Sequence, residues 1–422
     1  MLDLKFIHDN QEIVKKELQN RNIKLDLEGF LKLDEERCKL ITENDQLRAE
    51  QNKASQIIAK EKDAKKKQEL IAKMKTVSTK VDAIRTKLVP ITIEFLETYF
   101  QFSNISHKDT PVGKDESGNI EDHKWGKVPK FPFQPKPHYE VESVKDLIDI
   151  KKGSEVSGAR FWYLKGKIAQ LQFALINYTI DFFTKEEFEL FVTPALVKKP
   201  AMIGSGFFPA DRNEVYELCD KEENLYLVGT AEVPLSSYHA NEIIDLKEPK
   251  KYLGYSTCFR KEAGAYGKDL KGILRGHQFD KLELFIFASQ KDSWKLYAEL
   301  LKTSEKFWQS LGIPYRVMSM CTGDIAAPNA RKFDIEGWLP GEGKYRELGS
   351  CSHDTDFQAR RLNIRYRDEK GKTTLAHTMN HTACAIGRTI IAIVENNQTK
   401  EGNVKIPKVL HKYLNFTEMN KN

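Results

Sequence analysis

CFRKEAGAYGKDLKGILRGHQFDKLELFIF, residues 258–287, places two apolar-rich runs on either side of a loop of Gly, Ala, Tyr, Lys and Asp. That pattern predicts a long β-hairpin. Both arms carry charge: Arg260 and Glu262 on the first, Arg275, His277 and Glu283 on the second. Side chains on a strand alternate between faces, so residues two or four apart share a side. Arg260 and Glu262 therefore share one face. Arg275, Phe279 and Glu283 share one on the return arm, with Ile273, His277 and Lys281 between them. A ring flanked by arginine and carboxylate can stack a base, while guanidinium forks take phosphate or carboxylate oxygens. Unpaired charges would be too costly to keep on a buried face. A solvated hairpin with cross-strand ion pairs would use the same residues, and this stretch alone leaves both readings open.

Two further segments favour the ligand platform. NHTACAIGRTIIAIVENNQ (380–398) reads as a strand, a small-residue turn and an apolar helix opening at Gly387–Arg388. Arg388 falls in the first turn, where the helix dipole disfavours a cation unless an anion binds nearby. FTKEEFELFVTPALVKK (183–199) reads as a helix end followed by a strand containing Pro194. Proline there suits an edge or interface strand.

The chain has 422 residues, enough for two or three domains with their own cores. No run of about 18 apolar residues occurs, so no membrane-spanning helix is expected. MLDLKFIHDNQEIVKKEL, at the start, lacks the basic and apolar regions of a secretory signal, so a cytoplasmic location is expected. Six cysteines (38, 219, 258, 321, 351 and 384) show no paired spacing, which suits free thiols and predicts no zinc site. The net charge of +6 permits a nucleic-acid partner without requiring one.

Residues 31–100 obey another rule, poor in Gly and Pro and rich in Lys, Glu and Gln. Leu33, Arg37, Leu40, Asn44, Leu47, Gln51, Ala54 and Ile58 are spaced alternately by four and three. Leu70, Met74, Val77, Val81, Ile84, Leu88, Ile91 and Phe95 repeat the rhythm and are apolar throughout. Such a seam predicts coiled-coil packing. The lysine-rich turn between the two series predicts an antiparallel helical hairpin, each helix about 40 Å long at ~1.5 Å per residue. Pro90 is expected to kink or loosen the second helix. The tip, AKEKDAKKKQELIAKMK (59–75), holds seven lysines against three acids. It is either a solvated helical surface or a basic finger for phosphates. Residues 1–30 predict a small cap of helix and strand at the arm's base. Residues 105–140, rich in Pro, Gly and charge, predict a linker, with the compact domain beginning near Val141.

FRKE with its loop and Arg275, the run GRTIIAIVE, and the strand carrying Pro194 resemble motifs 2, 3 and 1 of the class II aminoacyl-tRNA synthetases. VGTAEVPL (228–235), RELGSCSHDTDFQARRLNIRY (346–366), ENNQTKEGNVKIPKVL (395–410) and the helical arm are similar to the seryl-tRNA synthetases over nearly the whole chain. The resemblance implies an α+β fold. It would comprise a class II antiparallel β-sheet core flanked by helices over 141–422, and an N-terminal tRNA-binding domain over 1–104 with the two-helix coiled-coil arm. It further implies a homodimer that joins L-serine to the 3′ end of tRNA(Ser), and of tRNA(Sec) where present. ATP and Mg2+ would serve the reaction, through a seryl-adenylate.

The same resemblance assigns the site. Arg260, Glu283 and Arg388 would be catalytic. Serine would sit among Thr230, Ala231, Glu232, Arg260, Glu283, Asn380 and Thr382. ATP would meet Arg260, Lys261 and Glu262 in motif 2, Arg275 on its outer phosphates, and Phe279 stacked on adenine with Arg388 on the other face. Glu347, Leu348, Gly349 and Ser350 would complete the nucleotide site, with Glu347 and Ser350 also holding Mg2+. On the arm, Lys65, Lys66 and Lys67 would touch tRNA. One departure stands in NHT: the position between Asn380 and Thr382, usually small in this family, is His381 here. It is expected to point away from the pocket.

Overall fold

The computed structural model describes residues 1–219, 224–263 and 271–421. The loop of the 258–287 hairpin, at 264–270, lies outside the described residues. The chain divides into a small unit, Asp3–Gln19 with Ile23–Phe102, and a large one, Ser103–Asn422 with Met1–Leu2 and Asn20–Asn22.

The small unit is all helix: α1 (Leu4–Asp9), α2 (Gln11–Asn20), α3 (Leu27–Lys60) and α4 (Ala64–Tyr99). No strand forms within 1–30, because Asp3 caps α1 by accepting from the Phe6 amide and α2 follows directly. Asp26 caps α3 through the Gly29 amide, and Asp63 caps α4 through the amides of Lys65 and Lys66. With 34 and 36 residues the long helices extend about 51 and 54 Å, longer than expected, since helix continues past both ends of each seam. All sixteen seam positions are buried or half-buried while most residues between them are exposed. Arg37 fits this seam because its guanidinium pairs with Asp34 at 2.6 Å and lies 4.1 Å over the Phe95 ring. Pro90 does not end α4, which runs unbroken to Tyr99. Phe95, beyond the proline, stacks on Phe30 at 5.2 Å, and such packing offsets the lost backbone bond.

The large unit is built on one eight-stranded sheet: β1 (Ile120–Trp125), β2 (Glu189–Val192), β3 (Lys250–Phe259), β4 (Gln278–Ala288), β5 (Tyr315–Ser319), β6 (Arg331–Leu339), β7 (Lys344–Thr355) and β8 (His377–Ala385). Their spatial order is β1-β5-β6-β7-β8-β4-β3-β2. All neighbours are antiparallel except β3 and β2. The stretch read as a linker therefore supplies an edge strand, β1. Pro194 lies in no strand, falling between β2 and the short strand Leu196–Lys198. The ladder's last bond there is Thr193 N–H to Tyr255 O at 3.1 Å, and a proline nitrogen cannot extend it.

The hairpin's strands are shorter than the sequence suggests. β3 ends at Phe259 and β4 begins at Gln278, so Arg260, Glu262, Arg275 and His277 stand beyond the ladder. Glu262 has φ of 50°, which no extended strand tolerates. Within β4, alternation sorts the residues cleanly. Leu282, Leu284 and Ile286 meet a core formed with three helices: α5 (Gly166–Lys185), α6 (Ser293–Ser310) and α7 (Ile386–Asn396). Phe285 and Phe287 join a second cluster with Leu235, Leu362 and Tyr366. Phe279 and Lys281, of the same parity, open onto a cavity.

Candidate active site

That cavity, about 540 Å³, is lined by Arg260, Arg275 and Arg388 and also by Glu232, Lys281 and Asn380. Three guanidiniums reach it from three segments. Arg260 lies 5.5 Å over the Phe279 ring and donates from Nε to Gly229 O at 3.3 Å. Its backbone is fixed by His277, whose Nδ1–H donates to Arg260 O at 2.9 Å. Arg275 donates to Glu262 Oε2 at 3.1 Å, so Glu262 joins the arginine network. Between Arg275 and His277, Gly276 accepts the Trp162 ring so closely that a Cβ would stand 2.1 Å from it.

Arg388, in the first turn of α7, pairs with Glu347, at 2.9 Å to its carbonyl and 3.1 Å to Oε2. Burial works against the charge on Glu347, yet the Arg388 guanidinium and Lys332 ammonium hold its carboxyl at about 2. In β7 the register slips beside Ile335, which pairs Gly349 while Glu336 pairs Glu347. Leu348 is the extra residue. The bulge breaks the period of two, so Glu347 and Ser350, three apart, both line the cavity.

A second cluster is built around Glu283 and Glu232. Glu283 is only 1% exposed and lies behind the cavity wall. Its Oε2 accepts from Lys281 Nζ at 2.7 Å, Thr230 Oγ1 at 3.3 Å and Thr382 Oγ1 at 3.5 Å. Asn380 Nδ2 bridges Glu283 Oε1 and Glu232 Oε2, each at 3.2 Å. Gln358 donates to Glu232 Oε1 at 2.8 Å. Burial first, then the charges of Asp354 and Glu283, push the Glu232 carboxyl up to about 8. Such a cluster suits an ammonium group with a small polar side chain, whereas the arginines suit phosphates.

Of the residues expected at the site, Arg260, Glu262, Arg275, Phe279, Glu347, Leu348, Gly349, Ser350, Arg388, Glu232, Asn380 and Thr382 line this one cavity. Thr230 and Glu283 stand just behind it. Two do not line it: Ala231 is fully buried in the Leu235–Phe285 cluster, and Lys261 is exposed, its ammonium 5.7 Å over the Tyr216 ring. Lys65, Lys66 and Lys67 belong to the small unit, exposed at the start of α4. His381 does not line the cavity; its neighbours Met379 and Ala383 belong to the helix-covered core, and its Nδ1–H donates to Thr382 O at 2.8 Å. Sequence reasoning missed Lys281, Lys332, Asp211, Glu214 and Gln358. The alternation that selected Glu283 already placed Lys281 on its face. No periodic signal marks the others.

Residues 1–106 match the seryl-tRNA synthetase N-terminal domain family, and residues 216–397 match the tRNA synthetase class II core domain family (G, H, P, S and T). A serine–tRNA ligase of Dictyoglomus thermophilum is 43% identical over 99% of both chains. The seryl-tRNA synthetase of Pyrococcus horikoshii, solved with ATP, superposes with a TM-score of 0.87 at 39% identity, covering 99% of each chain. The cytoplasmic serine–tRNA ligase of Naegleria fowleri, solved with AMP, gives 0.83 at 33% identity over 99% of this chain and 97% of that one.

Proposed function

The chain belongs to the seryl-tRNA synthetases of class II, and on that premise we propose that its cavity activates L-serine with ATP and passes the seryl group to tRNA(Ser). The observation that carries this reading is one cavity lined by three arginines together with Glu232 and Asn380, the latter bridging Glu232 to the buried Glu283. Serine's ammonium would lie toward Glu232 and its hydroxyl toward Glu283 and Thr382. Its carboxylate oxygen would attack the α-phosphorus, forming the acyl–phosphate bond as the bond to pyrophosphate breaks. The terminal ribose hydroxyl of tRNA then attacks the carbonyl carbon and AMP leaves.

No protein nucleophile is needed, so rate comes from positioning and charge stabilisation. Arg260 would hold the α-phosphate and serine carboxylate together. Arg275 and Arg388 would take the outer phosphates, and Phe279 would stack adenine. Among the described residues no three His, Cys, Asp or Glu side chains cluster to hold a metal alone. A carboxylate and a hydroxyl, Glu347 and Ser350, fit Mg2+ that arrives on the nucleotide and neutralises phosphate charge. The small unit would hold tRNA, and the large one would catalyse and dimerise.

The test is ATP–pyrophosphate exchange with each of the twenty amino acids. Serine alone should support it, and tRNA(Ser) should then be charged. Exchange driven by another amino acid would overturn the reading.

A further inference from the structure

We infer that Lys281 is a positioning residue that sets recognition of the amino acid's hydroxyl by fixing the Glu283 side chain from within the cavity wall. The inference rests on reading this cluster as the serine pocket. Lys281 precedes Glu283 by two residues on β4, so both project from one face. A lysine is seldom buried without a partner, and Lys281 is buried with its ammonium 2.7 Å from Glu283 Oε2. Lys281 lines the cavity and Glu283 does not. With Asn380 and Thr382, Lys281 is one of three donors to Glu283 that line the cavity, and the only charged one.

All four partners of Glu283, from Lys281, Thr230, Thr382 and Asn380, are donors. The group is held as an acceptor only, which is what a substrate hydroxyl needs. That state is contested by its neighbours. Glu232 shares the Asn380 amide with Glu283, and Asp354 on β7 adds a third carboxylate. The other titratable or charged groups nearby, among the described residues, are Cys258 at the end of β3, Arg260 beyond it, Cys351 on β7 and His381 on β8. Lys281 acts against the upward push on Glu232. Without the ammonium Glu283 loses its shortest and only charged donor, and the Glu232 carboxyl beside it is pushed further up. A proton held on Glu232 makes that group a donor that competes with the substrate hydroxyl for Glu283.

The experiment is pyrophosphate exchange by the full chain in four forms: wild type, Lys281→Met, Glu283→Gln, and the double variant. Lys281→Met should raise the serine KM at least tenfold at pH 7 and leave the ATP KM within about twofold. Its serine KM should improve as pH rises, which a packing defect would not produce, and its preference for serine over alanine should shrink. Lys281→Arg should recover most of the loss. The double variant, which removes both charges and so avoids an unpaired one, should match Glu283→Gln within about threefold. It gives the answer even if Lys281→Met fails to fold.

A raised ATP KM with serine KM unchanged would make Lys281 a phosphate ligand and overturn the inference. So would a double variant tenfold worse than Glu283→Gln, since Lys281 would then act independently. Wild-type exchange with an amino acid other than serine would overturn the functional reading itself. Serine exchange by the wild type with an unchanged serine KM in Lys281→Met would overturn the inference alone.

Discussion

Arg260 is held before any substrate arrives, by the Gly229 carbonyl, the Phe279 ring and a backbone clasped to His277. Preorganised charge of this kind stabilises a transition state most, because nothing must reorganise during reaction. Arg260→Ala should lower kcat for pyrophosphate exchange about a hundredfold, near 3 kcal/mol. Near-normal exchange by that variant would move the reacting centre elsewhere. His381 allows a prediction of another kind. Burial pushes its imidazole down to about 4 from an ordinary 6.5, and among the described residues its Nε2 has no hydrogen-bond partner. Below pH 6.5 the unfolded chain takes up a proton that the native chain refuses until about pH 4. The stability contributed by the neutral ring is therefore intact above 6.5 and falls as pH drops through this window. For this histidine alone the loss between pH 7 and 5 should be about 2 kcal/mol. Urea midpoints at both pH values should show a smaller acid loss in His381→Gln than in the wild type. Equal losses would mean that the ring accepts its proton in the native state.

At the scale of elements, the hairpin of α3 and α4 contributes no residue to the cavity. Replacing residues 31–100 by a short Gly-Ser turn should leave serine-dependent exchange largely intact and cripple tRNA charging. Normal charging by the armless chain would make the hairpin an assembly or partner-binding element instead. Lys65, Lys66 and Lys67 are exposed, and their helix end is already capped by Asp63. If they meet phosphates, changing all three to Ala should flatten the salt dependence of tRNA binding. Each lysine that neutralises a phosphate adds roughly 0.7–0.9 to the slope of log affinity against log salt. An unchanged slope would leave these lysines as solvated surface.

For the whole molecule, the question is what covers the β2 edge. Val192 on that strand is 79% exposed, and Phe173 on α5 is 62% exposed. Leu190 and Leu196 are also exposed beside the edge. Among the described residues β2 bonds to β3 alone, leaving an unpaired strand edge that natural proteins seldom leave apolar. We expect a homodimer formed through this face. Sedimentation at micromolar concentration should show about 97 kDa, twice the 48.6 kDa chain. A single 48.6 kDa species would exclude it, and Val192→Asp should dissociate the pair.

Periodicity by itself determined the arm: the alternation of four and three identified every seam position from Leu33 to Phe95, because a helix's buried stripe depends only on local spacing. Period two likewise assigned Phe279 and Glu283 to one face of β4. It errs where the backbone leaves the regular path. Glu262 turns left-handed, Leu348 bulges and Pro194 drops out of the ladder. The turn at Glu262 and the bulge at Leu348 are decided by neighbours distant in sequence, whereas the break at Pro194 is local, a ring nitrogen with no hydrogen to donate. The same limit explains why β1 reads as linker in the sequence. Its six residues are all exposed, so it carries no apolar pattern, and only pairing with β5 makes it a strand. Lys332 and Gln358 could be found only in three dimensions, since each reaches the site from a separate segment. Which charges face one another, and hence which carboxyls rise or fall, depends on distances of a few ångströms that tertiary packing alone establishes.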